Sequence, residues 1–93
     1  MAISVVVPRA LTPYTRGAGT LVVEEPCTTV GDALAAIAAR LPALPDRVLT
    51  EQGEIRRHLN VFVGDESVRF LDGLGTRVEA GTVITIVPAV SGG

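Results

Sequence analysis

Ser91-Gly92-Gly93 closes the chain, and its two terminal glycines are the residues on which chemistry can be built. At a usual glycine content of ~7%, a pair at a defined end is expected in about 0.5% of chains, so the pair asks for an explanation. The bland one is a trimmed or frayed end, because chain ends are commonly small, polar and poorly ordered. The sharper one is that the reactive group is the terminal carboxylate. Two residues without side chains would let it pass down a narrow channel into another protein's active site, and glycine permits backbone angles that a Cβ forbids. A free α-carboxylate, with a pKa of about 3.3–3.7, is ionised at neutral pH and is a poor electrophile until activated.

The residues before the tail must position it. Val83-Ile84-Thr85-Ile86-Val87 is a β-branched run that reads as a strand. Pro88 has no N–H for a sheet ladder, so pairing is expected to end there. Positions 89–93 then form an arm of up to about 17 Å at ~3.3–3.6 Å per residue. The expected division is a folded domain over 1–88 and a flexible tail over 89–93. Alternation in the strand separates Ile84 and Ile86 from Val83, Thr85 and Val87, and the polar Thr85 marks the solvent side. Ile84 and Ile86 would pack under a helix. Val83 and Val87, with Phe62, would form a small apolar docking patch beside the root of the tail. The alternative is that both faces are covered.

Composition limits the rest. Ninety-three residues make one domain with a modest core, too small for a substrate cleft with its own catalytic machinery. An apolar content of 47% argues against disorder. No apolar run approaches the ~18 residues of a membrane span. The first residues lack the basic and apolar regions of a signal peptide, so a cytoplasmic location is expected. The net charge is −2, which suggests neither a nucleic-acid nor a membrane partner. All eight bases are arginine; there is no lysine. Cys27 is alone, which excludes an internal disulfide and a cysteine-based metal site, and it reads as a small apolar residue. His58 has no partner at metal-ligand spacing, so no metal site is expected.

Along the chain, residues 2–7 (Ala-Ile-Ser-Val-Val-Val) are strand-like and close at Pro8. A turn-rich stretch through Tyr14, Gly17 and Gly19 leads to a second strand over 20–24, giving a hairpin with a long loop. Val30, Ala33, Leu34, Ile37, Ala38 and Leu41 lie at helical spacing on one face. Thr29 and Asp32 fit a capping box, and Pro42 stops the helix. Positions 42–57 read as irregular. Leu59-Asn60-Val61-Phe62-Val63 is a strand that turns at Gly64-Asp65, and Val68-Arg69-Phe70 is a short return strand. The order β-β-α-β-β-β, with one main helix across a mixed sheet, is an α+β β-grasp arrangement.

At this point the residues resemble a family. Leu59-Asn60-Val61-Phe62-Val63, Gly64-Asp65-Glu66-Ser67-Val68-Arg69-Phe70 and Ile86-Val87-Pro88-Ala89-Val90-Ser91-Gly92-Gly93 resemble the ubiquitin-like sulfur carriers of the ThiS/MoaD family. The Val-Arg-Phe run, the Gly73-Leu74 turn, Thr76 and the Pro-Ala-Val-x-Gly-Gly ending look most like the actinobacterial CysO-type branch, which carries sulfur for cysteine synthesis.

The resemblance implies a carrier, not an enzyme. A separate E1-like enzyme would use ATP to adenylate Gly93, and a sulfur donor would displace AMP to leave a thiocarboxylate. Gly92 would keep the approach free of side chains, with Ser91 and Val90 in the enzyme's channel. No GxxxxGK[ST] or GxGxxG phosphate loop is present, so no cofactor is expected on this chain itself. The second partner would be a sulfur-accepting biosynthetic enzyme. In cysteine synthesis the thiocarboxylate would attack an aminoacrylate on a pyridoxal-phosphate enzyme. Thiamine thiazole, molybdopterin and sulfur-containing secondary metabolites, through a thiazole or thiosugar synthase, use the same tail. Two alternatives stand beside this one: a ubiquitin-like modifier that forms isopeptide bonds on target lysines, and a passive interaction module whose tail is incidental.

Overall fold

The hairpin at the start of the chain forms because two β-branched runs flank a stretch that can turn. In the computed structural model, which describes residues 2–89, β1 (Ile3–Val6) and β2 (Thr20–Val23) pair antiparallel, Ile3 opposite Val23 and Val6 opposite Thr20. The long connection between them is ordered by a 3-10 turn over Arg9–Tyr14 that buries Leu11. Thr15 is 98% shielded, and its hydroxyl reaches the carbonyls of Thr12 at 3.1 Å and Ala18 at 2.6 Å.

The main helix, α1 (Val30–Arg40), starts where the capping residues place it. The Thr29 hydroxyl accepts from the Asp32 N–H, and the Asp32 carboxylate accepts from the Thr29 and Thr28 N–H groups at 3.1 and 2.9 Å. Those backbone donors hold the Asp32 carboxyl below its usual range. Val30, Ala33, Leu34 and Ile37 are buried, while Ala38 and Leu41 lie at the half-buried edge of the apolar face.

Two local expectations are corrected. Positions 42–57 are not wholly irregular: a one-turn helix, α2 (Pro45–Val48), packs Leu44 and Val48 into the core. It is too short to show a period, although Pro45 at its first position suits the fixed φ of proline. Val68–Phe70 is a 3-10 turn, not a return strand. After the Gly64 turn, at φ +60°, the returning strand β4 is only Glu66–Ser67. The Ser67 hydroxyl then accepts from the Arg69 N–H at 3.3 Å, and the turn carries Val68 into the core.

With β3 (Leu59–Val63) and β5 (Val83–Pro88), the strands form one mixed sheet in the order β2-β1-β5-β3-β4. β5 is central, parallel to β1 and antiparallel to β3. Val5, Val61, Ile84 and Ile86 face the helices and are essentially inaccessible. Each such side chain contributes about 1.5–3 kcal/mol relative to leaving it in water. One main helix across a mixed sheet that joins the first and last strands in parallel is the β-grasp architecture.

Candidate functional site

The site is built from the end of β5 outward. The Gly64 N–H donates to the Val83 carbonyl at 3.1 Å, and the Ala89 N–H donates to the His58 carbonyl at 2.7 Å. Between these bonds, pairs along β3 and β5 alternate, and Pro88 opposite Leu59 falls in a non-hydrogen-bonded position. Its nitrogen therefore faces β1. On that side the Ser4 N–H donates to the Thr82 carbonyl at 3.1 Å, and continuing the parallel register would require donors at Pro8 and Pro88. Neither proline has one. The Pro8 carbonyl accepts instead from the Leu11 N–H at 2.9 Å.

Pairing at Pro88 thus ends toward β1 only, which corrects the expectation that it ends altogether. Toward β3 the ladder runs one residue further and secures Ala89. Val90, Ser91, Gly92 and Gly93, the residues expected to carry the chemistry, lie outside the described residues.

Arg69 braces the strand that holds Ala89. Its Nη2 donates to the Leu59 carbonyl at 2.7 Å and the Arg56 carbonyl at 3.1 Å, while its Nε donates to Asn60 Oδ1 at 3.0 Å. The sequence marks Arg69 only as the middle of a Val-Arg-Phe run. Partners nine to thirteen residues away leave no periodic signal.

The proposed docking residues share the outer face of the sheet but do not form one cluster. Val87 and Phe62 are half-buried, Phe62 opposite Thr85. Val83 is 44% exposed and lies at the far end of β5, in a row with Val22 and Ser4 across the sheet. Val87 is the member beside the tail root; Val83 is not. Sequence reasoning missed Phe70, which the 3-10 turn leaves 86% exposed on one groove with Phe62.

Cys27 packs half-buried against the core. Burial pushes its thiol above the ordinary cysteine range, and the Asp32 and Glu25 carboxylates add to the rise. The thiol stays protonated at neutral pH, which suits a packing residue rather than a nucleophile. The His58 carbonyl holds Ala89, and its exposed residue lines a groove beside the tail root.

The sulfur carrier protein CysO of Mycobacterium tuberculosis is 34% identical to this chain over 99 aligned residues, covering all of both chains. Small archaeal modifier protein 1 of Haloferax volcanii is 42% identical over 65 residues, 70% of each chain. Among solved structures, a chain of the Amycolatopsis orientalis BexX/CysO complex is similar at a TM-score of 0.86 and 35% identity, over 99% of this chain and 100% of that one. The pattern of the ThiS family matches residues 5–93, from the first strand through the terminal glycines, and the chain belongs to the ThiS family.

Proposed function

We propose that this chain is a sulfur carrier whose Gly93 carboxylate is adenylated by a separate enzyme and converted to a thiocarboxylate. The observation that carries the reading is the family match, which runs through Gly93 itself. The carboxylate oxygen attacks the α-phosphorus of ATP, and pyrophosphate leaves. A sulfur donor at the oxidation level of sulfide then attacks the acyl carbon; the C–S bond forms, the bond to AMP breaks, and AMP leaves. The thiocarboxylate is a soft nucleophile that can attack an activated carbon on the acceptor. Cysteine synthesis is the preferred destination, because the similarity to CysO proteins spans both chains. Catalysis belongs to the partners, and this chain acts as a covalent co-substrate.

Intact mass after incubation with ATP, sulfide and the activating enzyme of the same organism tests the reading. The expected result is a gain equal to exchanging one oxygen for sulfur, absent when Gly92 and Gly93 are deleted. Gly92→Val places a β-branched side chain in the arm and should abolish the gain. Normal thiocarboxylate formation by that variant would rule out a narrow channel.

A second reading, a protein modifier, draws on the similarity to small archaeal modifier protein 1. It shares the adenylate but passes the acyl group to a lysine amine. A chain with no lysine could modify a target once and could not extend lysine-linked chains on itself. Adducts larger than the free protein on an anti-tag blot would favour this reading.

A further inference from the structure

Arg16, Arg47 and Arg56 line grooves toward the end of the fold where β5 reaches Ala89. Two grooves meet at Tyr14. One is lined by Arg16 and by Arg40, whose guanidinium reaches to the Val22 carbonyl, the other by Arg47, Arg56 and His58, and among the described residues neither lining contains a carboxylate. His58 is the residue whose carbonyl holds Ala89, so the belt reaches the root of the tail. At the other end of β1, where Gly81 N–H donates to the Ala2 carbonyl, the corresponding groove is lined by Glu24 and Glu25 and contains no arginine. The two ends of β1 thus differ in the charge of their grooves, arginine on the side of Ala89 and glutamate on the other.

The belt is ordered by acceptors that carry no charge. The Arg47 guanidinium lies 4.6 Å from the centre of the Tyr14 ring. Arg56 donates twice to the Asp46 carbonyl, at 3.1 and 2.8 Å, and Arg40 donates to the Val22 carbonyl at 2.9 Å. These acceptors are neutral. The guanidinium charge remains for a partner within a Debye length, about 8 Å at physiological salt.

We propose that this arginine belt docks on an acidic protein rim surrounding the channel that receives the tail, so that charge orients the carrier before Gly93 enters. The proposal rests on the carrier reading, because only a channel that takes the last four residues must also abut the belt. The mouth of that channel should carry aspartate and glutamate facing Arg47 and Arg56, which share a groove with His58.

The test uses the full-length carrier, the activating enzyme of the same organism and ATP–pyrophosphate exchange across a range of salt. Arg47→Glu and Arg56→Glu should each raise the carrier's KM about tenfold or more at low salt, the lower end of electrostatic steering. The kcat should be unchanged and the salt dependence of kcat/KM flattened. Arg47→Lys should restore the KM. Arg77→Glu makes the same charge change beside the N-terminus of α1, where Arg77 bridges Thr29, and should have little effect. Matched thermal melts separate docking from folding. Exchange that ignores both belt reversals overturns this proposal alone. No exchange with the wild-type carrier overturns the carrier reading and the proposal with it. Retention on duplex DNA at physiological salt, lost in the reversals while exchange is unaltered, would assign the belt to nucleic acid and also overturn it.

Discussion

The Ala89 N–H donates to the His58 carbonyl at 2.7 Å, one residue beyond a proline that has no N–H to donate. The bond is possible because Pro88 directs its nitrogen toward β1, away from the β3 ladder. Sheet order therefore continues to the residue that begins the tail. Ala89→Pro removes this donor and should cost about 0.5–1.5 kcal/mol. Pro88→Ala loses no ladder bond, and its effect should stay within about 1 kcal/mol, mainly through unfolded-chain entropy. Urea unfolding of both variants checks the contrast. A Pro88 effect larger than the Ala89 effect would contradict the register.

Arg69 joins β3 to the turn after β4 through one guanidinium with several acceptors. Arg69→Ala should destabilise the fold by about 1.5–3 kcal/mol, the range for hydrogen bonds to a charged group. Amide exchange should speed up at Leu59 and Ala89 in particular. Lysine should rescue little, because a single ammonium cannot match the planar fork.

The helix cap supplies a pH-dependent test. Thr29→Ala should cost about 1 kcal/mol at neutral pH. The Asp32 carboxyl is depressed in the folded state by the Thr28 and Thr29 N–H groups. Its contribution is therefore complete above the unfolded pKa, about 3.9, and is lost as pH falls through the lower folded value. Asp32→Asn should lower the melting temperature at pH 7, with the gap from wild type closing below about pH 4. A gap that widens in acid would reverse the sign of this assignment.

Inner and outer residues of β5 should respond differently. Ile86 is 1% exposed, and Ile86→Ala should cost about 2–5 kcal/mol. Val83→Ser, on the exposed face, should change stability by no more than about 1 kcal/mol. If the outer face docks the activating enzyme, Val83→Ser and Phe62→Ser should raise the carrier's KM without changing kcat. An unchanged KM in both would remove this face from the docking surface.

The sequence by itself determined the elements whose signals are local. The spacing from Val30 to Ile37, the Thr29/Asp32 cap, the alternation of Ile84 and Ile86, and the diglycine ending all act over a few residues. They led to the helix, the inward face of β5 and the family. What the sequence could not show depends on partners brought close by folding. Whether Pro88 ends a strand depends on which neighbour its nitrogen faces, and that follows from β1 lying on one side of β5 and β3 on the other. Val68–Phe70 turns instead of pairing because the core takes up Val68. Arg16, Arg47 and Arg56 are scattered through the chain, and only the tertiary structure lines them along adjoining grooves toward the tail root. Residue type and spacing set local preference, whereas register and the meeting of distant charges are set by the packing of the whole chain.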